Sequence, residues 1–117
     1  MLLPDAVALI NTEFKTRKCA PHYHAVYVDL TYDGCSLFSI SIYDYGDKVS
    51  VLTDVGSTKD FFDQFTEDEW VKLCAEHGFE FNNWRIERVF NSLNDLYEYI
   101  DFIDYLCNTY EIVYSGW

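Results

Sequence analysis

The sequence predicts an α+β fold in which helices pack against one face of an antiparallel sheet. Apolar and polar residues alternate in runs between residues 26 and 53, as in half-buried strands, whereas apolar residues in the flanking segments recur at helical spacing. Turn and capping residues separate these segments. The 117 residues are 50% apolar, which is enough for one domain, residues 1–117, with a small core. The predicted order of elements is α-βββ-α-α-ββ-α.

The first predicted element is a helix over about residues 4–16. Pro4 and Asp5 suit a first helical turn, because a missing N–H costs nothing there and an acid faces the positive end of the helix dipole. Three cations suit the other end of this helix: Lys15, Arg17 and Lys18. We predict that residues 19–23 form a loop.

A meander of three antiparallel strands is predicted next. The alternation of apolar and polar residues indicates strands over 26–31 and 38–43, and a third strand from Val49 onward. Asp33 and Gly34 form a dipeptide with a strong bias toward a hairpin turn, because glycine readily adopts positive φ. We therefore expect a tight turn between the first two strands.

The second half of the chain is predicted to contain helices and one hairpin. Its elements are a short helix or turn over 61–65, a helix over 66–77, a hairpin over 79–90 and a last helix from 91 or 92 to about 108. Thr66 and Glu69 have the spacing of a capping box, which begins the second of these elements. Asn82 and Asn83 are expected in the hairpin turn, and the tail, residues 111–117, can add a final strand.

Negative charge is concentrated in the second half of the chain. Residues 1–58 contain seven acids and four bases, whereas residues 59–117 contain thirteen acids and four bases. Such a surface repels nucleic acid and anionic lipid, and it attracts basic protein surfaces. We therefore expect a protein partner, with no direct contact to nucleic acid or membrane.

The sequence also predicts a cytoplasmic protein. No apolar run approaches the roughly 20 residues of a membrane span. The N-terminal segment lacks the basic residues of a signal peptide. The four cysteines lie far apart, which favours reduced thiols over disulfides.

Two clusters of acidic residues are the first candidates for partner binding. The first cluster contains Asp60, Asp63, Glu67, Asp68 and Glu69, and the second contains Asp95, Glu98, Asp101 and Asp104, of which Asp104 leans toward the core. Side chains three or four residues apart on a helix are about 5–6 Å apart at Cβ, roughly as phosphates are along a nucleic-acid strand. The clusters can therefore mimic phosphate charge in a basic groove. The alternative is a solvated acidic face that only keeps the protein soluble.

The last predicted helix is apolar on two sides. Its core stripe contains Leu93, Leu96, Ile100, Ile103 and Cys107. Phe102 points away from this stripe, with Tyr99 and Leu106 beside it. Such a helix is either sandwiched inside the protein or packed against a partner, which includes a second copy of the chain. Because tyrosine is common at contact surfaces, we add Tyr99 and Phe102 to the predicted binding residues, although the C-terminal tail can equally cover them.

No catalytic or metal-binding pattern stands out. The nearest approach to a zinc site lacks the usual paired spacing: Cys19, His22, His24 and Cys35. Asp54 follows a strand, as the nucleophile does in phosphatase-like sequences, but that chemistry needs a second Asp where Gly56 stands. A turn-forming role is therefore expected for Asp54. We predict no enzymatic activity, no cofactor and no metal.

The middle of the chain resembles a known family in two runs: Phe-Ser-Ile-Ser-Ile-Tyr at 38–43 and Gly-Asp-Lys-Val-Ser-Val-Leu-Thr-Asp-Val-Gly-Ser-Thr at 46–58. These runs are similar to the signature of a domain-of-unknown-function family found in bacteria and their phages, which contains Leu-Thr-Asp-x-Gly-x-Thr. Val55 stands where that family usually has a second Asp. The resemblance spans roughly residues 23–107 and implies a fold and a mobile-element context. It implies no catalytic residues, because the family has no established activity.

Together these patterns predict a small, non-catalytic accessory protein of the phage or prophage type. We expect it to bind a basic protein surface and to inhibit a nucleic-acid-handling defence system of the host, either CRISPR or restriction, by mimicking phosphate charge. The alternative is a self-associating bacterial structural or regulatory module, for example a homodimer through Phe102, with no link to nucleic acid.

Overall fold

The computed structural model describes residues 1–32, 35–36, 38–44, 46 and 48–113. Within these ranges the helices are α1 (Leu3–Ile10), a short 3₁₀ helix (Thr58–Phe61), α2 (Glu67–Glu76) and α3 (Leu93–Thr109). The strands are β1 (Lys15–Ala20), β2 (Tyr23–Tyr27), β3 (Thr31–Tyr32), β4 (Cys35–Ser36), β5 (Ile40–Asp44), β6 (Ser50–Thr53), β7 (Glu80–Asn82) and β8 (Arg85–Val89). The predicted α+β fold class is confirmed.

Six strands form one antiparallel sheet in the order β1-β2-β5-β6-β8-β7, and β3 pairs with β4 in a separate hairpin. Strands β2, β5 and β6 are neighbours, with Val26 opposite Ile40 and Ile42 opposite Leu52, so the predicted meander is confirmed. Its first strand, predicted over 26–31, ends at Tyr27, and the separate hairpin of β3 and β4, instead of a tight turn, lies between this strand and β5. The turn predicted at residues 33–34 lies outside the described residues, as do residues 114–117 of the predicted final strand. Residues 111–113 form no strand.

The two faces of the sheet have different surroundings. Ile42, Leu52 and Ile86 project from one face, where they belong to a single core with buried side chains of α1, α2 and α3. Because successive side chains of a strand alternate, neighbours such as Tyr43 and Glu87 project from the other face. The prediction that helices pack against one face is confirmed.

The predicted first helix is too long. Helix α1 ends at Ile10, and a turn follows in which the N–H of Glu13 donates to the Ile10 carbonyl at 3.0 Å. Residues 15–20, predicted as a helix end and a loop, form the edge strand β1, in which Lys15 lies opposite Tyr27. Exposed cations are common on edge strands, where they oppose pairing with other chains. The same cations therefore mark a sheet edge here.

Local capping signals predict α2 well. The N–H of Glu69 donates to the Thr66 hydroxyl at 3.2 Å, and the N–H of Thr66 donates to the Glu69 carboxylate at 3.0 Å. Helix α2 ends at Glu76, with His77 as its C-cap and Gly78 at a φ of 83° beyond it. Each of these features depends on residues within one turn of the helix end, which is why the sequence pattern is sufficient.

Both apolar sides of α3 are covered by the protein itself. Tyr99 is fully buried and Phe102 is 3% exposed. The ring of Phe79 stacks on Phe102 with centroids 4.7 Å apart, and the ring of His77 lies 5.0 Å from Phe102. The prediction that Tyr99 and Phe102 form an exposed binding face is therefore wrong, because the segment that follows α2 folds over Phe102.

Candidate protein-binding surface

A groove of about 330 Å³ opens between the 3₁₀ helix, the start of α2 and the turn that joins β7 to β8. Four aromatic and three charged residues line it: Phe62, Phe65, Trp70 and Trp84, with Lys59, Asp60 and Asp63. We call it the aromatic groove. It places carboxylates beside an apolar wall, a combination that suits a group with an apolar stem and a cationic head.

Buried Asp54 fixes the backbone that leads into the aromatic groove. Its Oδ1 accepts hydrogen bonds from the N–H groups of Gly56 at 2.9 Å and Ile86 at 3.1 Å, and its Oδ2 accepts from the N–H of Thr58 at 3.3 Å. The residue is 1% exposed, and burial raises its pKa although these hydrogen bonds lower it. Asp54 thus ties the turn after β6 to strand β8. This is the turn-forming role that the sequence predicts, and it favours structure over nucleophilic chemistry.

Packed rings form the wall of the aromatic groove. The buried Trp70 ring lies 4.9 Å from Phe65 and 6.2 Å from Phe62, measured between centroids. Phe81 stacks on Trp70 at 5.5 Å, and Trp84 meets Phe81 edge-on at 5.8 Å. Such pairs contribute about 0.5–1.5 kcal/mol each beyond the burial of their area. The wall is therefore a preformed surface.

Trp84 occupies a backbone conformation that favours glycine. Asn83 and Trp84 are the central residues of the β7–β8 turn, with φ of 52° and 63°, so the predicted hairpin is confirmed but its turn lies one residue later than expected. The left-handed region costs a residue other than glycine roughly 1–2 kcal/mol, and asparagine tolerates it better than tryptophan. Trp84 is nevertheless 38% exposed. Val55 likewise combines a positive φ, 51°, with a side chain that is 45% exposed.

The first acidic cluster lies on the surface at and near the aromatic groove. Four of its members are exposed: Asp60, Asp63, Glu67 and Asp68. The Asp60 carboxylate lies 3.7 Å from Nζ of Lys59, which also donates to the Gly56 carbonyl at 2.6 Å. Glu69 is exposed as well, but its carboxylate caps α2, and the hydrogen bond from the Thr66 N–H lowers the pKa of Glu69. Four of the five acids are therefore exposed at or near the groove, and one of these, Asp60, is paired with Lys59.

The second acidic cluster is partly used by the fold. Nε and Nη2 of Arg88 each lie 3.0 Å from Oδ1 of Asp95, and Nη2 also pairs with Glu98. The guanidinium of Arg88 lies over the Phe79 ring, 5.2 Å from its centroid. Asp101 is exposed farther along α3. Asp95 and Glu98 therefore hold α3 against β8, a role that the sequence pattern does not predict.

The sheet face opposite the helices carries a polar cluster that the sequence pattern does not reveal. The Tyr43 hydroxyl donates to the carboxylate of Glu87, which is 3% exposed and lies 4.0 Å from Nε of Arg85. The hydroxyls of Tyr23 and Ser41 are 2.9 Å apart. The alternation within β5 correctly indicates that Ser41 and Tyr43 share a face. Their partners come from strands far away in the sequence, so no local signal identifies the cluster.

Three of the candidate zinc residues have side chains that the structure describes: Cys19, His22 and His24. No group of three or more His, Cys, Asp or Glu side chains in the described part of the chain is arranged to hold a metal ion. The exposed Cys19 thiol donates to the Arg17 carbonyl at 3.5 Å, and Nδ1 of His22 lies 3.1 Å from the Asp44 carboxylate. Among these same residues, no helix has the length and hydropathy needed to cross a membrane.

Comparison with known proteins gives no match. No family model matches the chain, and no curated protein sequence or solved structure is significantly similar to it. The resemblance to a bacterial and phage family of unknown function therefore stays a prediction. The functional argument depends on the aromatic groove and the charges around it.

Proposed function

We propose that this protein is a non-catalytic module that binds a basic protein surface through the aromatic groove and the acids around it. One observation carries the proposal: exposed carboxylates adjoin a groove whose wall is made of aromatic rings. Carboxylates attract a basic partner over several ångströms, whereas rings supply the desolvated contact area that dominates the energy of many interfaces. The surface thus has both components of a specific interface.

A nucleic-acid-handling protein is the partner class that best fits this charge. Such proteins present rows of lysine and arginine that bind phosphates, and the net charge of −12 on this chain is opposite in sign. By occupying that basic surface, the module excludes the nucleic acid. We further propose that it acts as a phage or prophage accessory protein against a CRISPR or restriction system, a setting that the resemblance in residues 38–58 supports.

Two other functions have less support. Self-association through Phe102 needs this ring at the surface, but the rings of Phe79 and His77 cover it. A hydrolase that acts through Asp54 is not favoured either, because both carboxylate oxygens accept hydrogen bonds from backbone N–H groups inside the protein.

Charge reversal beside the aromatic groove tests the proposal. The test variant carries lysine at four positions: Asp60, Asp63, Glu67 and Asp68. A matched control carries lysine at four exposed acids outside both acidic clusters: Asp5, Glu13, Asp29 and Glu111. Proteins captured from host lysate by each tagged variant are identified, and the captured partner is then assayed for nucleic-acid binding with and without the module.

The test variant should lose its partner and its inhibition, while the control keeps most of both and the circular dichroism spectra of the two agree. Binding of the unmodified chain should weaken steeply with ionic strength, because exposed charges are screened beyond about 10 Å at 0.1 M salt. Unchanged capture and inhibition by the test variant contradict the proposal. Equal losses in both variants indicate that net charge alone matters, and also contradict it.

A further inference from the structure

We infer that the aromatic groove binds the side chain of an arginine from the partner protein. This inference depends on the proposed function and names the chemical group that the surface recognises. The groove offers the two things that an arginine side chain needs, carboxylates for its guanidinium and rings for its stem and planar face. The Asp63 carboxylate binds the guanidinium together with that of Asp60, which also lies 3.7 Å from Nζ of Lys59 in the same groove. Trp84 and Phe65 contact the stem.

The chain already contains one arginine bound in this way. Arg88 pairs with Asp95 and Glu98 of α3, and its guanidinium lies over the ring of Phe79 at 5.2 Å. One aromatic ring and two carboxylates thus surround the guanidinium of an arginine within this protein. The aromatic groove also combines rings with two carboxylates, which are exposed there. It contains Lys59 as well, so its lining has one net negative charge.

The size and charge of the groove favour a side chain over a cofactor. Its volume of about 330 Å³ is at the lower end of the roughly 300–1,000 Å³ that small-molecule sites occupy. Arginine fits better than lysine for two reasons. Its guanidinium is planar and weakly hydrated, so it can stack on a ring and donate two hydrogen bonds to a carboxylate, whereas an ammonium group is compact and strongly hydrated.

The conformation of Trp84 gives a separate argument for contact at this place. A turn with two positive φ values is most stable with glycine at one of them, yet an exposed tryptophan occupies the position. Backbone conformations of this kind are concentrated at functional sites. Val55 also combines a positive φ with exposure but lies outside the lining of the aromatic groove, so the use of Trp84 is inferred from its place in that lining. At the groove, that use is to form one wall of the arginine site.

Labelled peptides of defined sequence provide the probe. Three peptides have the same Gly-Ser spacer and carry arginine, lysine or citrulline at the same positions. Their affinities for the full chain are measured by fluorescence anisotropy at low ionic strength. We expect the arginine peptide to bind at least about threefold more tightly than the lysine peptide, and the uncharged citrulline peptide to bind at least about tenfold more weakly than the arginine peptide.

Two pairs of variants locate the binding. Trp84→Gly removes the ring and suits the turn, so the protein should fold normally and bind the arginine peptide about tenfold more weakly. Val55→Gly introduces glycine at another exposed positive-φ position, outside the lining of the groove, and should leave affinity unchanged. Asp60→Asn with Asp63→Asn should weaken binding about tenfold or more. Asp5→Asn with Glu13→Gln removes the same charge elsewhere and should change affinity less than about twofold.

The outcomes separate this inference from the proposed function. Equal affinity for arginine and lysine peptides, together with no loss in Trp84→Gly, overturns the arginine site but leaves the acidic surface as a binding surface for basic proteins. Absence of binding to either cationic peptide overturns both. An arginine preference that is lost in Trp84→Gly and kept in Val55→Gly supports the site.

Discussion

Replacing Asp54 with alanine should nearly abolish folding. The change removes the acceptor of three backbone N–H groups, those of Gly56, Thr58 and Ile86, at a position that is 1% exposed. A buried donor left without a partner costs about 1–3 kcal/mol, so the three together cost about 3–9 kcal/mol. Domains of this size are stable by about 5–15 kcal/mol, so this variant should lie near or beyond the limit of stability.

Asp54→Asn is the more informative variant because it keeps the shape of the side chain. Its amide oxygen can still accept from Gly56 and Ile86, but its NH₂ group faces the N–H of Thr58, where the carboxylate oxygen now lies at 3.3 Å. One bond is lost and two lose their charge, so we expect a decrease in unfolding free energy of about 1–3 kcal/mol. Urea denaturation followed by circular dichroism measures it. A midpoint unchanged in both variants would refute the structural role of Asp54.

The same comparison has a pH dependence of defined sign. Burial raises the pKa of Asp54 above its ordinary value of 3.8, so the folded state binds this proton more tightly than the unfolded state does. The stability that this gives is fully present below the ordinary pKa and is lost as the pH rises through the pKa of the folded state. The advantage of the unmodified chain over Asp54→Asn should therefore grow as the pH falls from neutral toward the ordinary pKa of 3.8. A constant difference over that range contradicts the assignment.

Two further substitutions test particular contacts by urea denaturation. Val55→Gly should raise the unfolding free energy by about 1 kcal/mol, because glycine removes the cost of a β-branched residue at a φ of 51°; a decrease would mean that the valine side chain contributes more by packing than its backbone costs. Arg88→Gln should lower the unfolding free energy by about 2–4 kcal/mol, because Asp95 loses the cation that balances its partly buried charge. Arg17→Gln on the exposed edge strand should change the unfolding free energy by less than about 0.5 kcal/mol. Equal effects of the two arginine substitutions would contradict the role of Arg88.

Sequence patterns predict the elements of this fold where the deciding interactions are local. The capping box of Thr66 and Glu69 acts within one helical turn, and the alternation that predicts β5 and β6 reflects burial along each strand. The cations after α1 are ambiguous, because a helix C-terminus and an exposed sheet edge both favour them. Pairing with β2, which only two residues separate from β1, decides for the strand, and the run of cations by itself does not show that pairing.

The candidate site is less predictable because its parts come from distant segments. The first acidic cluster is visible in the sequence, but the rings beside it belong to the 3₁₀ helix region, to α2 and to a hairpin turn about twenty residues later. Trp84 in particular is predicted as a strand residue, and only the observed turn places it at the groove. For Phe102, helical periodicity correctly predicts the face of α3 on which the residue lies. Periodicity contains no information on whether another segment of the same chain covers that face.

The order of strands in the sheet also separates positive from negative charge across the molecule. Strand β1, at one edge, carries three cations and no acid, whereas β7, at the opposite edge, belongs to the hairpin that contributes Trp84 to the aromatic groove. Five strand spacings of about 4.8 Å separate the two edges by roughly 24 Å. The hairpin itself has two acids and two bases, but the exposed acids Asp60 and Asp63 line the groove beside Trp84. Opposite signs therefore lie toward opposite edges of the sheet and form a permanent dipole. In the electric field of a cationic surface this dipole orients the molecule before contact. The aromatic groove then faces that surface, so a larger fraction of collisions is productive.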